Sequence, residues 1–132
     1  MAQNIVKHVK DMVAEANREI EIIPVGDASK YFKDSKYVFV DIRDPREIQR
    51  EGTIPNSFSC PRGMLEFWID PDSPYHKDIF NQDKKYIFYC AAAGRSALAA
   101  KAAQDMGLKP VSHLAGGFAA WKKSGNPIET KE

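Results

Sequence analysis

Apolar and polar positions divide the chain into segments of two kinds. Over residues 3–18, Ile5, Val9, Met12, Val13 and Ala16 recur at helical spacing, with Lys7, Lys10, Asp11, Glu15 and Arg18 elsewhere. Such a stripe predicts an amphipathic helix whose apolar side lies against the domain or a second subunit. Ile20-Glu21-Ile22-Ile23 reads as a short β run, and Pro24 to Phe32 as a short helix with proline in its first turn. Strand-like runs then alternate with helices. Tyr37 to Ile42 is almost continuously apolar, as in a strand covered on both faces. Asp44 is placed to cap a helix that Pro45 opens and that runs through Arg50. Gly52 to Ser57 forms a turn and a brief extended stretch. Arg62 to Ile69 reads as helical until the break Asp70-Pro71-Asp72-Ser73-Pro74. Tyr86 to Tyr89 is a second buried strand. An alanine-rich helix follows from Ser96 to Met106 and stops at Gly107. Val111 to Leu114 is the last strand and Phe118 to Lys123 the last helix.

Strands and helices in alternation predict an α/β fold, a mostly parallel sheet with helices on both faces. The expected organisation is an N-terminal helix over residues 1–19, one domain over 20–128 and a C-terminal tail over 129–132.

Composition narrows the function. The 132 residues fit one domain, and 43% hydrophobic residues suffice for a core. A formal net charge of +1 gives no electrostatic case for nucleic acid or an anionic membrane surface. No apolar run approaches the length of a membrane span, and charged residues interrupt the start of the chain where a signal peptide would need an apolar core. The expected location is cytoplasmic. Cys60 and Cys90 are too few for a disulfide scaffold, and His8, His76 and His113 stand in no metal-ligand spacing. Neither a metal nor another cofactor is expected.

The chemistry concentrates in Tyr89-Cys90-Ala91-Ala92-Ala93-Gly94-Arg95-Ser96, where a cysteine ends a buried strand, small residues follow and a helix begins. In open α/β sheets ligands bind beyond the carboxyl ends of the strands. Successive backbone N–H groups and a helix N-terminus favour a thiolate there, and also an anion bound to it. Taken alone, the loop also fits a buried structural cysteine before a helix.

Four segments together resemble the rhodanese family. The loop Cys90 to Ser96 resembles its active-site cradle. Val40-Asp41-Ile42-Arg43-Asp44-Pro45-Arg46-Glu47-Ile48 is similar to its first signature, and Gly52-Thr53-Ile54-Pro55-Asn56-Ser57 to its Gly-His-Ile-Pro-Gly-Ala turn. His113-Leu114-Ala115-Gly116-Gly117-Phe118-Ala119-Ala120-Trp121 is similar to its closing Leu-x-Gly-Gly-x-x-x-Trp motif. Thr53 and Asn56 depart from the turn, and Ala91 to Ala93 make the loop less polar than in many members. The resemblance implies a rhodanese-like α/β fold with a central five-stranded sheet. It also implies a sulfurtransferase that moves sulfane sulfur through a persulfide on Cys90. Donors would be thiosulfate, mercaptopyruvate or a persulfide; acceptors a small thiol, cyanide or a protein cysteine. The molecule would be a monomer or weak homodimer. Ala91, Ala92, Ala93, Gly94, Arg95 and Ser96 would bind substrate. Phosphatases and arsenate reductases of the same fold place arginine six residues after the cysteine, whereas Arg95 comes five after Cys90. They remain the rival class, beside a binding module without turnover.

Other residues carry looser expectations. Arg95 either binds an anionic substrate or pins the loop through a buried carboxylate such as Asp41. Arg43, Arg62, Met64, Phe67 and Tyr75 are candidates for the pocket rim, drawn partly from the long connection over residues 62–76. Cys60 is either a resolving thiol or a small core residue. His76 reads as a surface residue. A preformed thiolate needs no general base, so no Cys–His dyad is expected.

Overall fold

The computed structural model describes residues 2–131, so the expected N-terminal segment and C-terminal tail each lose their outermost residue, Met1 and Glu132. Strands β1 (Glu21–Ile23), β2 (Tyr37–Asp41), β3 (Phe58–Ser59), β4 (Lys85–Tyr89) and β5 (Val111–Leu114) form one sheet in the order β1-β5-β4-β2-β3. Every neighbouring pair is parallel, so the sheet is wholly rather than mostly parallel. An isolated antiparallel bridge joins Thr53 to Glu129 outside it. Helices α1 (Val9–Glu19), α2 (Val25–Ala28), α3 (Pro45–Glu51), α4 (Leu65–Ile69), α5 (Gly94–Met106) and α6 (Gly117–Lys123) complete the fold.

The apolar runs become strands because both sheet faces are covered. Val38, Val40, Tyr86, Phe88 and Val111 pack on one side with Leu65 and Ile69 of α4 and Ala99, Ala100 and Ala103 of α5. Phe39, Ile87, Tyr89 and Leu114 point to the other side, where Ala28 of α2 and Phe118 and Trp121 of α6 meet them. The alanines of α5 keep that helix close to the sheet, which fixes the loop leading into it. Asp44 caps α3 as expected. Its carboxylate accepts from Arg46 N at 2.8 Å, and Glu47 Oε1 accepts from Asp44 N at 3.2 Å, a complete capping box.

Two helices are shorter than the sequence predicts, and the predicted Arg62–Ile69 helix divides into a 3-10 turn over Arg62–Met64 and α4. α1 begins at Val9 rather than residue 3, and Ile5, Val9 and Met12 of its stripe are exposed. Only its last turns reach the domain, burying Ala16 and, just beyond, Ile20. α2 ends at Ala28 because Lys30 N and Tyr31 N bond three residues back, to Asp27 and Ala28, which tightens the chain into turns before Phe32.

Candidate active site

Cys90 follows the last residue of β4, a central strand, and so sits at the carboxyl end of the sheet. It is 1% exposed, while Ala92, Gly94 and Arg95 in the loop around it face solvent. The start of α6 clamps this loop from outside. Phe118 N donates to Cys90 O at 2.8 Å and Ala119 N to Ala91 O at 3.0 Å. The approach is so close that a Cβ at Gly117, whose φ is +61°, would run into the carbonyl oxygens of Cys90 and Ala92. The second glycine of the Gly116-Gly117 pair is thus a requirement of the cysteine loop. The Cys90 and Ala91 carbonyls are thus taken by α6, and the N–H groups from Ala91 to Ser96 find no acceptor among the described residues.

A buried polar chain runs inward from the sulfur. Cys90 Sγ lies 3.5 Å from Ser96 Oγ, which is 3.0 Å from His113 Nδ1 and 3.1 Å from Ala93 O. His113 Nε2 lies 2.7 Å from Asn17 Oδ1 of α1. Ser96 is fully buried and His113 is 1% exposed. Burial holds the His113 imidazole below its ordinary pKa, so it stays neutral. The sequence reading included Ser96 as a loop residue but missed His113 and Asn17. The one local hint was a histidine inside an otherwise strand-like run, all of which is buried.

The arginines occupy other places than expected. Arg43 is not on a rim: it is fully buried, donating to Asp41 Oδ1 at 2.9 Å, to Asp41 Oδ2 at 2.7 Å and to Gly52 O at 2.7 Å. Its guanidinium lies 4.3 Å from the centre of the Phe118 ring. Asp41 also accepts from Thr53 Oγ1 at 2.9 Å, and Thr53, Ser57 and the Ile54 N–H all meet the Tyr89 hydroxyl. Thr53, at the turn's histidine position, therefore ties that turn to β2 and β4. Asp41 is thereby occupied, and Arg95 pairs with Glu47 instead, through two bonds of 2.8 and 3.0 Å. The hydrogen bonds from Arg95 outweigh partial burial and hold the Glu47 carboxyl below its ordinary range.

Of the remaining rim candidates, Arg62 is bound to Glu66 on its own helical segment at 2.9 Å and Met64 is half-buried. Phe67 and Tyr75 form an exposed edge-to-face pair with ring centres 6.4 Å apart. His76 is mostly buried rather than at the surface, with Nδ1 3.0 Å from Trp68 O, because it ties down the long connection. Cys60 is fully buried, and burial pushes its thiol up to about 12, which makes it inert. A cleft of about 350 Å³ lined by Tyr31, Tyr37, Lys85 and Pro110 opens at the amino ends of the strands, away from Cys90.

A wholly parallel α/β sheet with a cysteine loop at its carboxyl edge, clamped by a Gly-Gly turn, defines a class of cysteine-centred domains. Residues 25–124 match the family of the rhodanese-like domain, and the chain belongs to that family. A sulfurtransferase from Allochromatium vinosum is 30% identical over 95 residues, covering 72% of this chain and 80% of that protein. The polysulfide-sulfur transferase homodimer of Wolinella succinogenes superposes with a TM-score of 0.69 at 26% identity, over 93% of this chain and 88% of that one. A Rhodopseudomonas palustris protein of unknown function, described as a possible tyrosine phosphatase, is similar at 62% identity with a TM-score of 0.95, over 98% and 99% of the two chains. Sulfur transfer is named for the first two of these proteins and not for the third. Among the described residues no helix is long and apolar enough to cross a membrane.

Proposed function

We propose that the protein is a sulfurtransferase that carries sulfur as a persulfide on Cys90. The Cys90 thiolate attacks the outer sulfur of a donor, the donor's bond to that sulfur breaks, and the donor residue leaves with the electron pair. A thiophile, a small thiol or a protein cysteine, then attacks the outer sulfur of the persulfide, and the Cys90 thiolate is released. The observation that carries this reading is the short loop. The Cys90 and Ala91 carbonyls are held by α6, and the N–H groups of the loop are left over for a terminal sulfur anion. Arg43 and Arg95 are both committed to carboxylates. The loop therefore offers a dianion such as thiosulfate little beyond backbone, and a singly charged organic persulfide donor suits it better.

The similar protein described as a possible tyrosine phosphatase keeps a second reading in play. Against it stand the five-residue step from Cys90 to Arg95 and the engagement of both terminal guanidinium nitrogens by Glu47. A phosphate would have to displace that carboxylate. The test is paired turnover, with a panel of sulfur donors and with an aryl phosphate, for wild type, Cys90→Ser and Cys60→Ser. Sulfur transfer should vanish in Cys90→Ser and persist in Cys60→Ser, and mass spectrometry should find one added sulfur on Cys90. Cys90-dependent phosphate release exceeding sulfur transfer would replace this reading with the phosphatase.

A further inference from the structure

We propose that Ser96, His113 and Asn17 form a buried relay that takes the proton from the Cys90 thiol, Ser96 touching the sulfur and His113 acting through it as a positioning residue. The proposal rests on Cys90 being the sulfur-carrying nucleophile.

The chain of contacts runs without a gap from the reacting atom to the first helix, at 3.5, 3.0 and 2.7 Å. Its polarity follows from its far end. An amide oxygen can only accept, so Asn17 Oδ1 selects the tautomer with hydrogen on Nε2 and leaves His113 Nδ1 as an acceptor. Nδ1 then takes the Ser96 hydroxyl hydrogen, and the Ser96 lone pairs are left to receive the thiol hydrogen. When the thiol ionises, its S–H bond breaks and the proton passes to Ser96 Oγ, while the original serine proton moves to Nδ1. The products are a Cys90 thiolate that accepts from Ser96 and an imidazolium that donates to Ser96 and Asn17. No atom of the set is left without a partner in either state.

The imidazolium that forms has its counter-charge in the Cys90 thiolate, two hydrogen bonds away. Burial alone disfavours the charged imidazole. The charged groups on the elements packed against it are Lys10, Asp11, Glu15, Arg18 and Glu19 on α1, Arg95, Lys101 and Asp105 on α5, Glu21 on β1, Lys85 on β4, and Lys122 and Lys123 on α6. These lie at the surface or pair with one another, as Lys101 does with Glu19 and Asp105, Glu15 with Lys7, and Arg95 with Glu47. The other titratable neighbour is Cys90 itself, so the proton has one natural source. Ala93 O, 3.1 Å from Ser96 Oγ, gives the hydroxyl a second resting position when His113 holds the proton.

The test is the rate of Cys90 alkylation by iodoacetamide against pH, followed by mass spectrometry in a Cys60→Ser background. Ser96→Ala, His113→Gln and Asn17→Leu should each move the half-maximal point of the profile up by about one pH unit, a tenfold loss of thiolate on the rising limb of the profile. Asn17→Asp keeps an acceptor facing Nε2 and adds a charge that favours the imidazolium, so its profile should move down rather than up. Should His113→Gln fail to fold, the Asn17 pair decides, because that residue lies at the outer end of the relay. Profiles of folded His113→Gln or Asn17→Leu that superimpose on wild type would overturn the relay, as would equal shifts in Asn17→Leu and Asn17→Asp. Alkylation needs no sulfur donor. A shifted profile in a protein that transfers no sulfur would therefore sustain the relay and refute only the function.

Discussion

Gly117→Ala tests how the cysteine loop is held. Three effects add. Alanine at a φ of +61° costs about 1 kcal/mol in backbone strain. The new Cβ meets the carbonyl oxygens of Cys90 and Ala92. The loop must then retreat from α6, losing the hydrogen bonds from Phe118 N and Ala119 N at 2.8 and 3.0 Å, worth about 1 kcal/mol each. The expected loss is about 3 kcal/mol, a large share of a typical domain's stability and roughly 10 °C in melting temperature for a chain of this size. Activity should fall further than stability, because displacing a nucleophile by about 1 Å can cost on the order of a hundredfold in rate. Gly125→Ala is the control, since Gly125 also has a positive φ, +77°, but open space where its Cβ would stand. It should lose about 1 kcal/mol and no turnover per folded molecule. Urea unfolding and donor turnover on the two variants check both claims. If Gly117→Ala matches Gly125→Ala in both measurements, the clamp does not hold the loop.

Two further outcomes follow from the ion pairs. Arg43→Leu leaves the fully buried Asp41 carboxylate without its partner and should cost about 3–5 kcal/mol in urea unfolding, partly recovered in the Asp41→Asn/Arg43→Leu double variant; a loss under about 1 kcal/mol would refute the pairing. Glu47→Gln keeps the cap on Asp44 but loses the charge facing Arg95. Because the Glu47 carboxyl titrates below its ordinary range in the fold, its contribution is present above about pH 4.3 and fades as pH falls through the folded value. With Arg95 half exposed the effect should stay under about 1 kcal/mol, so urea midpoints of the variant and wild type should differ at pH 7 and draw together as the pH falls below the ordinary carboxylate range; a constant gap would sink the assignment.

What the sequence made legible was whatever a short contiguous stretch decides. β2 and β4 announce themselves because both faces are buried, so their apolar runs are unbroken. The α3 cap is readable because Asp44 and Glu47 satisfy each other within one turn. Cys90 was placed because strand, loop and helix are adjacent in the chain. The start of α1 was not readable: a stripe shows which side of a helix is apolar, not how far along that side a partner extends. Arg43 left the expected rim because Asp41, two residues before it, and the Gly52 carbonyl hold it inside, and Arg95 found its carboxylate in Glu47 rather than in the Asp41 that Arg43 and Thr53 occupy. Asn17 and His113 lie 96 positions apart, and no spacing rule connects them.

That separation bears on how the site comes into being. β1 near the start of the chain pairs with β5 near its end, Glu21 beside Ser112, and β5 lies between β1 and the strand that bears the cysteine. No nascent chain ending before Leu114 can close this sheet, and α6, which clamps the loop, emerges later still. Until then the thiol has neither its amide cradle nor its serine and histidine neighbours in place. Loops closed over such distances form slowly. On the function proposed for it, Cys90 would therefore meet its working surroundings only on completion of the fold, and a growing or partly unfolded chain presents the cysteine without them.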